Sequence, residues 1–226
     1  MGAIAARLEA VRRQVADAAD VAGRDPEDVR IVAVTKTVGV AEVQQAIAAG
    51  CHDFGENRVQ EFVGKHALFP GERWHFIGTL QSNKARDVVG RAHLIHSVDS
   101  IKLLRAIDRH ALDARVVQPV LLEVNVSGEE SKHGFAPDEL ADALRSARDL
   151  GNVEVRGLMT MAPLVRKGED VRWVFRELRN LLERLQGLRI GTHDLTELSM
   201  GMTNDFAQAV EEGATIVRVG RAIFGR

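Results

Sequence analysis

The stretch IVAVTKTVGVAEVQQAIAAGCHDFGE, residues 31–56, contains the pattern that decides the fold. It begins with a short apolar, β-branched run at 31–35, continues with helical spacing at about 40–49, and ends in a second strand-like run at 51–56. Such apolar runs are typical of strands in a parallel sheet that is covered on both faces. The stretch therefore predicts one strand–helix–strand unit.

The same alternation continues to the end of the chain. Eight strand-like runs occur, at 31–35, 51–56, 74–78, 94–98, 120–126, 155–160, 195–200 and 215–220. An amphipathic pattern precedes the first strand, and helical patterns separate the strands at about 40–49, 57–68, 80–89, 100–112, 137–149, 169–186 and 203–212. We predict an α/β protein with one domain over 1–226, a (β/α)8 TIM barrel with an extra N-terminal helix. An open doubly wound sheet is disfavoured because no GxGxxG motif follows the first strand.

Composition narrows the class of ligand and the compartment. The 30 basic and 32 acidic residues form no long block of one sign, so we expect a small-molecule ligand and neither a nucleic-acid nor a membrane partner. Cys51 is the only cysteine, which excludes an intrachain disulfide and a cysteine-cluster metal site. No apolar run reaches transmembrane length, and the N-terminus lacks the pattern of a signal peptide. We expect a cytoplasmic protein.

Lys36 follows the first strand directly and is a candidate functional residue. In a (β/α)8 barrel, the carboxyl ends of the strands and the loops after them form the active face. Two interpretations remain open from this position alone. Lys36 is either an ion-pair residue at a strand end or a nucleophile held on a rigid element.

The residues that follow the last two strands predict an anion-binding site. In RVGRAIFG, residues 218–225, the final strand runs into Gly220, which lets backbone N–H groups approach a ligand, and then into a helical turn that begins at Arg221. The preceding strand ends in SMGMTND, which offers the close-approach point Gly201 and the hydroxyls of Ser199 and Thr203. Barrels often bind phosphate with the loops after strands 7 and 8. The alternative is that these glycines only form tight turns.

The lysine and the anion signal become one site if the barrel closes, because strands 1 and 8 are then neighbours. A desolvated lysine at a barrel mouth attacks an aldehyde to form a Schiff base. A phosphorylated aldehyde could react with the lysine and place its phosphate at the predicted anion site. Pyridoxal 5′-phosphate (PLP) is the clearest candidate. Arg218 would then face the pyridine nitrogen. Arginine donates and does not accept, so it would keep this nitrogen unprotonated and weaken the ring as an electron sink.

Eight motifs together resemble a known family. They are VAVTKT (32–37), FGENRVQE (54–61), WHFIGTLQSNK (74–84), HSVD (96–99), VNVSGEESKHGF (124–135), GLMTMAP (157–163), LSMGMTNDF (198–206) and VRVGRAIFG (217–225). In this order, and over nearly the whole chain, they resemble the YggS/PROSC family of PLP-binding homeostasis proteins. That family is related to the N-terminal barrel of alanine racemase.

The resemblance implies a set of cofactor-binding residues. Lys36 would carry PLP as an internal aldimine, and Arg218 would face the pyridine nitrogen. The phosphate would be held by Ser199, Gly220 and the backbone of Arg221, and the ring side would be lined by Asn57, His75, Ile77 and Gly78. Family members often have threonine in place of Arg221, so the resemblance implies a backbone N–H contact here and no side-chain hydroxyl contact. His75 has an alternative as a hydrogen-bonded histidine inside the barrel.

The resemblance also implies a function without a defined reaction, in which the protein buffers or delivers PLP in vitamin B6 homeostasis. Alanine racemase uses a tyrosine of a second domain as its opposing base, and this sequence contains no tyrosine. A small PLP-dependent racemase and a cofactor-free Schiff-base aldolase remain alternatives. We expect a monomer, no catalytic residue, no metal, and apo PLP-dependent enzymes as acceptors. Lys132 either is a surface lysine or assists cofactor exchange.

Overall fold

The computed structural model describes residues 2–129, 133–163, 168–190 and 194–225. Eight parallel strands in these ranges close into a barrel, each pairing with its neighbours in chain order and the first with the last. The strands are β1 (Arg30–Val34), β2 (Asp53–Glu56), β3 (Arg73–Phe76), β4 (Leu94–Val98), β5 (Gln118–Glu123), β6 (Val153–Met159), β7 (Glu197–Ser199) and β8 (Ile216–Val219). The predicted fold is confirmed.

Helices surround the barrel. They are α1 (Ala3–Val21), α2 (Val40–Ala48), α3 (Val59–Leu68), α4 (Ala85–Val88), α5 (Ile101–Ala114), α6 (Leu140–Arg148), α7 (Arg172–Gly187), α8 (Phe206–Glu211) and α9 (Arg221–Phe224). None of the helices in the described ranges combines the length and the apolar character that crossing a bilayer requires. Lys132 lies outside the described residues.

The additional N-terminal helix, α1, packs on the outside of the barrel. Its buried side chains recur every three or four residues, at Ile4, Leu8, Val11 and Val15, which places them on one face. This face packs against α8 and α9, the last two helices of the barrel. The helix therefore covers the region where the barrel closes.

The observed helices are shorter than predicted in three places. The patterns predicted from 80, 137 and 169 begin as 3₁₀ turns at Ser82–Lys84, Pro137–Glu139 and Gly168–Val171, and the α-helix follows each turn. Serine and asparagine favour turns over helix interiors, and proline fits only the first turn of a helix. The tight first turns are therefore a local property of these sequences.

The core has two parts. Most buried apolar side chains lie in one continuous cluster that includes side chains from the helices and the strands. A smaller separate cluster consists of Val32, Leu94, Leu121, Met159 and Ile216, one from each of five strands. Side chains of alternate strands fill the inside of such barrels in layers. The described barrel is therefore a packed core, and open space is found at its ends.

Candidate functional site

A cavity of about 1210 Å³ lies at the carboxyl ends of the strands. Seven of the ten predicted site residues line it, namely Lys36, Asn57, Ile77, Gly78, Arg218, Gly220 and Arg221. Because they lie in or directly after four different strands, β1, β2, β3 and β8, only the closed barrel brings them together. The alternation of strands and helices thus correctly predicted which face of the barrel would collect them.

The backbone before Lys36 is fixed by a buried ion pair. Thr35 is fully buried, its carbonyl accepts a hydrogen bond from Lys65 Nζ at 2.6 Å, and its hydroxyl donates to Glu56 Oε1 at 2.6 Å. Lys65 also donates to the same Glu56 oxygen. Lys36 itself is exposed to the cavity, which differs from the expectation of a desolvated lysine. Its amine is therefore accessible while its main chain is held rigidly.

Arg218 supplies a buried, oriented cation. It is only 4% exposed, yet it lines the cavity. Its Nη1 donates to Ser199 Oγ at 2.6 Å, and its Nη2 donates to the Thr160 carbonyl at 2.8 Å. Burial lowers the pKa of Arg218 to about 10, although the carboxylates of Glu123 and Asp205 oppose this effect. The guanidinium therefore remains a cation near neutral pH and can only donate hydrogen bonds.

Asn57, Ile77 and Gly78 form one wall of the cavity. A Cβ on Gly78 would lie 2.2 Å from the Asn57 carbonyl oxygen, so only glycine allows this close approach. The side-chain Oδ1 of Asn57 is buried without a hydrogen-bond partner in the described structure. Buried polar atoms are almost always paired. Its position in the cavity wall makes Asn57 a candidate ligand contact.

The wall after β7 and β8 suits an anion. Gly220 and Arg221 lie beside Thr203 and Asn204, and Arg221 Nη2 donates to Asn204 Oδ1 at 3.0 Å. The first turn of α9 leaves backbone N–H groups without partners inside the helix. A Cβ on Gly220 would meet only Val34, at an ordinary distance of 3.4 Å. Protein packing therefore does not require glycine here, and the missing side chain leaves the backbone open to the cavity.

Three predicted residues do not line the cavity. His75 and Ser199 are fully buried inside the barrel, where each bonds to another interior side chain. Gly201 has φ +90°, and a Cβ there would lie 2.5 Å from that of Ala209, so its glycine is required by packing against α8. The position of His75 agrees with the alternative given above, a hydrogen-bonded histidine inside the barrel. The proposed ligand contacts below exclude these three residues.

Several residues outside the predicted set also line the cavity, and Thr203 and Glu123 are two polar ones among them. Thr203 belongs to the loop SMGMTND, where its hydroxyl was the available signal. Glu123 ends β5, and a lone carboxylate in the apolar run VLLEVNV was the signal for it. Burial, followed by the nearby Asp99 carboxylate, raises the pKa of Glu123, while Arg218 partly opposes the shift. Across the described residues, no group of three potential ligands could hold a metal ion.

Comparison with known proteins agrees with this geometry. The family model described as "Alanine racemase, N-terminal domain" matches residues 6–226. The pyridoxal phosphate homeostasis protein of Aquifex aeolicus is 42% identical over 221 residues, which cover 97% of this chain and 96% of that protein. Its counterpart in Pseudomonas aeruginosa is 40% identical, with coverage of 100% and 96%.

A solved structure gives the same result in three dimensions. The structure of PipY from Synechococcus elongatus with PLP bound is 38% identical, with a TM-score of 0.85, and the match covers 98% of this chain and all of PipY (100%). The resemblance seen in the eight motifs is confirmed. The chain belongs to the alanine racemase N-terminal domain family and, within it, to the pyridoxal phosphate homeostasis proteins.

Proposed function

We propose that this protein binds PLP covalently through Lys36 and serves PLP homeostasis by buffering or delivering the cofactor. The observation that carries the proposal is that an accessible amine, a fixed guanidinium and an anion-binding wall line one cavity. The PLP-bound structure of PipY and the names of the relatives support the same ligand.

The residues of the cavity fit the functional groups of PLP. The cofactor supplies an aldehyde that condenses reversibly with amines. Lys36 would provide the amine, and Arg218 would donate to the pyridine nitrogen. The backbone N–H groups at Gly220 and Arg221, together with the Thr203 hydroxyl, would hold the phosphate. Asn57, whose buried Oδ1 lacks a partner, would contact the ring side.

Arg218 favours a protein that holds PLP over one that drives carbanion chemistry. An arginine opposite the pyridine nitrogen cannot accept its proton or protonate it, so the ring is a weak electron sink. The absence of tyrosine from the sequence also removes the opposing base of the alanine racemase scheme. We therefore assign no catalytic reaction.

We further propose a cytoplasmic monomer with a single domain, which passes PLP to apo PLP-dependent enzymes. The single, buried Cys51 supports a reducing compartment. The near-balance of 30 basic and 32 acidic residues supports a protein that acts on small molecules. Size-exclusion chromatography with light scattering tests the monomer directly.

The covalent attachment is tested by absorbance. Purified protein mixed with PLP is expected to show a near-visible band that Lys36→Ala loses. Lys102→Ala, which removes an exposed lysine of α5 away from the cavity, is the matched control and should retain the band. Borohydride reduction and peptide mass mapping should place the label on Lys36. Label on any other peptide would overturn the assignment.

A second assay tests the absence of a defined reaction. Loaded protein is expected to transfer PLP to an apo-enzyme while showing no amino-acid racemisation at enzymatic rates. Turnover of alanine or another amino acid at about 1 s⁻¹ or faster would replace the proposed role with that of a racemase.

A further inference from the structure

A chain of hydrogen bonds crosses the inside of the barrel and begins at Arg218. From Arg218 Nη1 it passes to Ser199 Oγ over 2.6 Å and from Ser199 Oγ to His96 Nδ1 over 2.8 Å. It continues from His96 Nε2 to His75 Nδ1 over 2.9 Å, and from His75 Nε2 to Asp53 Oδ1 over 3.1 Å. These five residues, which we call the interior chain, come from five different strands.

Asp53 ends the interior chain at the opposite end of the barrel. It begins β2, and Arg73, which begins β3, donates to its two carboxylate oxygens at 2.8 and 2.5 Å. A second cation is close, because Arg30 Nε lies 3.9 Å from Asp53 Oδ1. Burial alone would raise the pKa of Asp53, but hydrogen bonds from Arg73 and His75 outweigh it and hold the pKa well below its ordinary value. Asp53 is thus an anion that only accepts hydrogen bonds.

This acceptor sets the direction of every bond in the interior chain. His75 must donate from Nε2 to Asp53, so a neutral His75 accepts at Nδ1. His96 must then donate from Nε2 and accept at Nδ1, which leaves the Ser199 hydroxyl as the donor to His96. Burial lowers the pKa of both histidines, in agreement with neutral rings. The free lone pair of Ser199 then accepts from Arg218, and each contact has one donor and one acceptor.

Arg218 is consequently clamped. Nη1 is committed to Ser199 and Nη2 to the Thr160 carbonyl, so the plane of the guanidinium is fixed while Arg218 still lines the cavity. In this arrangement the buried Ser199 hydroxyl donates to His96 while it accepts from Arg218. We infer that Asp53, His75, His96 and Ser199 are positioning residues that fix Arg218 as a donor toward the pyridine nitrogen of bound PLP. This inference rests on the proposed function.

The inference is tested by measuring how tightly the parent protein and a variant each bind two ligands. The ligands are PLP and its 1-deaza analogue, in which a C–H group replaces the pyridine nitrogen. Ser199→Ala removes the acceptor of Arg218 Nη1 and should weaken PLP binding roughly tenfold, as expected for one hydrogen bond to a charged group. The same variant should bind the deaza analogue as well as the parent does, because no ring nitrogen remains to be contacted.

Thr215→Val is the matched control, since the Thr215 hydroxyl donates to Glu197 Oε2 and accepts from the Leu198 N–H, outside the interior chain. It should show no loss selective for PLP. With ¹⁵N-labelled PLP, the nitrogen chemical shift of the bound ring should move in Ser199→Ala and not in the control. His96→Asn, one link further along, should show the same selective loss and is the second variant if Ser199→Ala does not fold.

The outcomes separate the inference from the proposed function. Equal weakening of both ligands by Ser199→Ala, no weakening of PLP, or a selective loss in Thr215→Val would overturn the positioning role and leave PLP binding intact. Failure of the parent protein to bind PLP would instead overturn the proposed function.

Discussion

Arg221 combines two possible contributions to anion binding in one residue. Its backbone begins α9, whose first N–H groups face no partner within the helix. Its guanidinium lines the cavity and bonds to Asn204. The side chain therefore adds a positive charge to the wall proposed to hold the phosphate, and its contribution can be separated from that of the backbone.

Arg221→Ala is expected to weaken the binding of PLP three- to tenfold while leaving non-phosphorylated pyridoxal unchanged. The reason is that the variant removes one exposed charge beside the proposed phosphate position and keeps the backbone donors. Competition of both ligands against a fluorescent analogue measures the difference, and added salt should reduce it. Arg58→Ala removes another cation of the same cavity, after β2, and is the control. If both variants weakened PLP binding equally, the arginines would act through general electrostatic attraction of the anionic ligand, and Arg221 would make no specific contact with its phosphate.

At the scale of elements, β1, β2 and α3 are joined beneath Lys36 by Glu56 and Lys65. The Glu56 side chain is fully buried, and its Oε2 has no hydrogen-bond partner in the described structure. Lys65 compensates this charge and also holds the Thr35 carbonyl. The position of the reactive amine thus depends on a helix that contributes no side chain to the proposed site.

Lys65→Met is expected to lower the free energy of unfolding by about 3–5 kcal/mol, because it leaves a buried carboxylate without its cation. The double variant Glu56→Gln with Lys65→Met should recover part of this loss. Urea unfolding followed by circular dichroism measures both. Lys102→Met on the exposed face of α5 should change stability by less than about 0.5 kcal/mol. A similarly small effect of Lys65→Met would show that the contact between Glu56 and Lys65 does not stabilise the fold.

At the scale of the whole molecule, the interior chain links the two ends of the barrel through neutral histidines. Burial lowers the pKa of His75 and His96, and for His96 the nearby guanidinium groups of Arg218 and Arg30 act in the same direction. The unfolded chain, in contrast, takes up protons at histidine near pH 6.5. These two histidines therefore stabilise the fold fully above about pH 6.5, and their contribution declines as the pH falls below this value.

Between pH 6.5 and pH 5, each buried neutral histidine is expected to reduce the free energy of unfolding by up to about 1.4 kcal/mol per pH unit. His96→Gln removes one of these groups, so its stability should fall less steeply with decreasing pH, whatever its absolute value. Urea unfolding at pH 7, 6 and 5 gives the two slopes. Parallel slopes for the parent and the variant would contradict a neutral His96.

Much of the fold follows from the sequence alone. The short apolar runs and the helical patterns between them are local, and in an unbroken alternation they allow few topologies other than a closed barrel. The sequence predicted the ends of the strands less accurately. β7 covers only Glu197–Ser199 where a run over 195–200 was predicted, because pairing with both neighbours, which are distant in sequence, decides where a short strand begins and ends.

The sequence by itself determined which residues can carry the chemistry, namely Lys36 at the end of a buried strand and glycines with a cation after the last one. Side-chain direction was decided only by tertiary structure. Ser199 and His75 belong to motifs that read as ligand contacts, yet both lie inside the barrel. Their partners come from strands far apart in sequence, and hydrogen bonding among buried polar groups depends on barrel closure. No local pattern encodes that geometry.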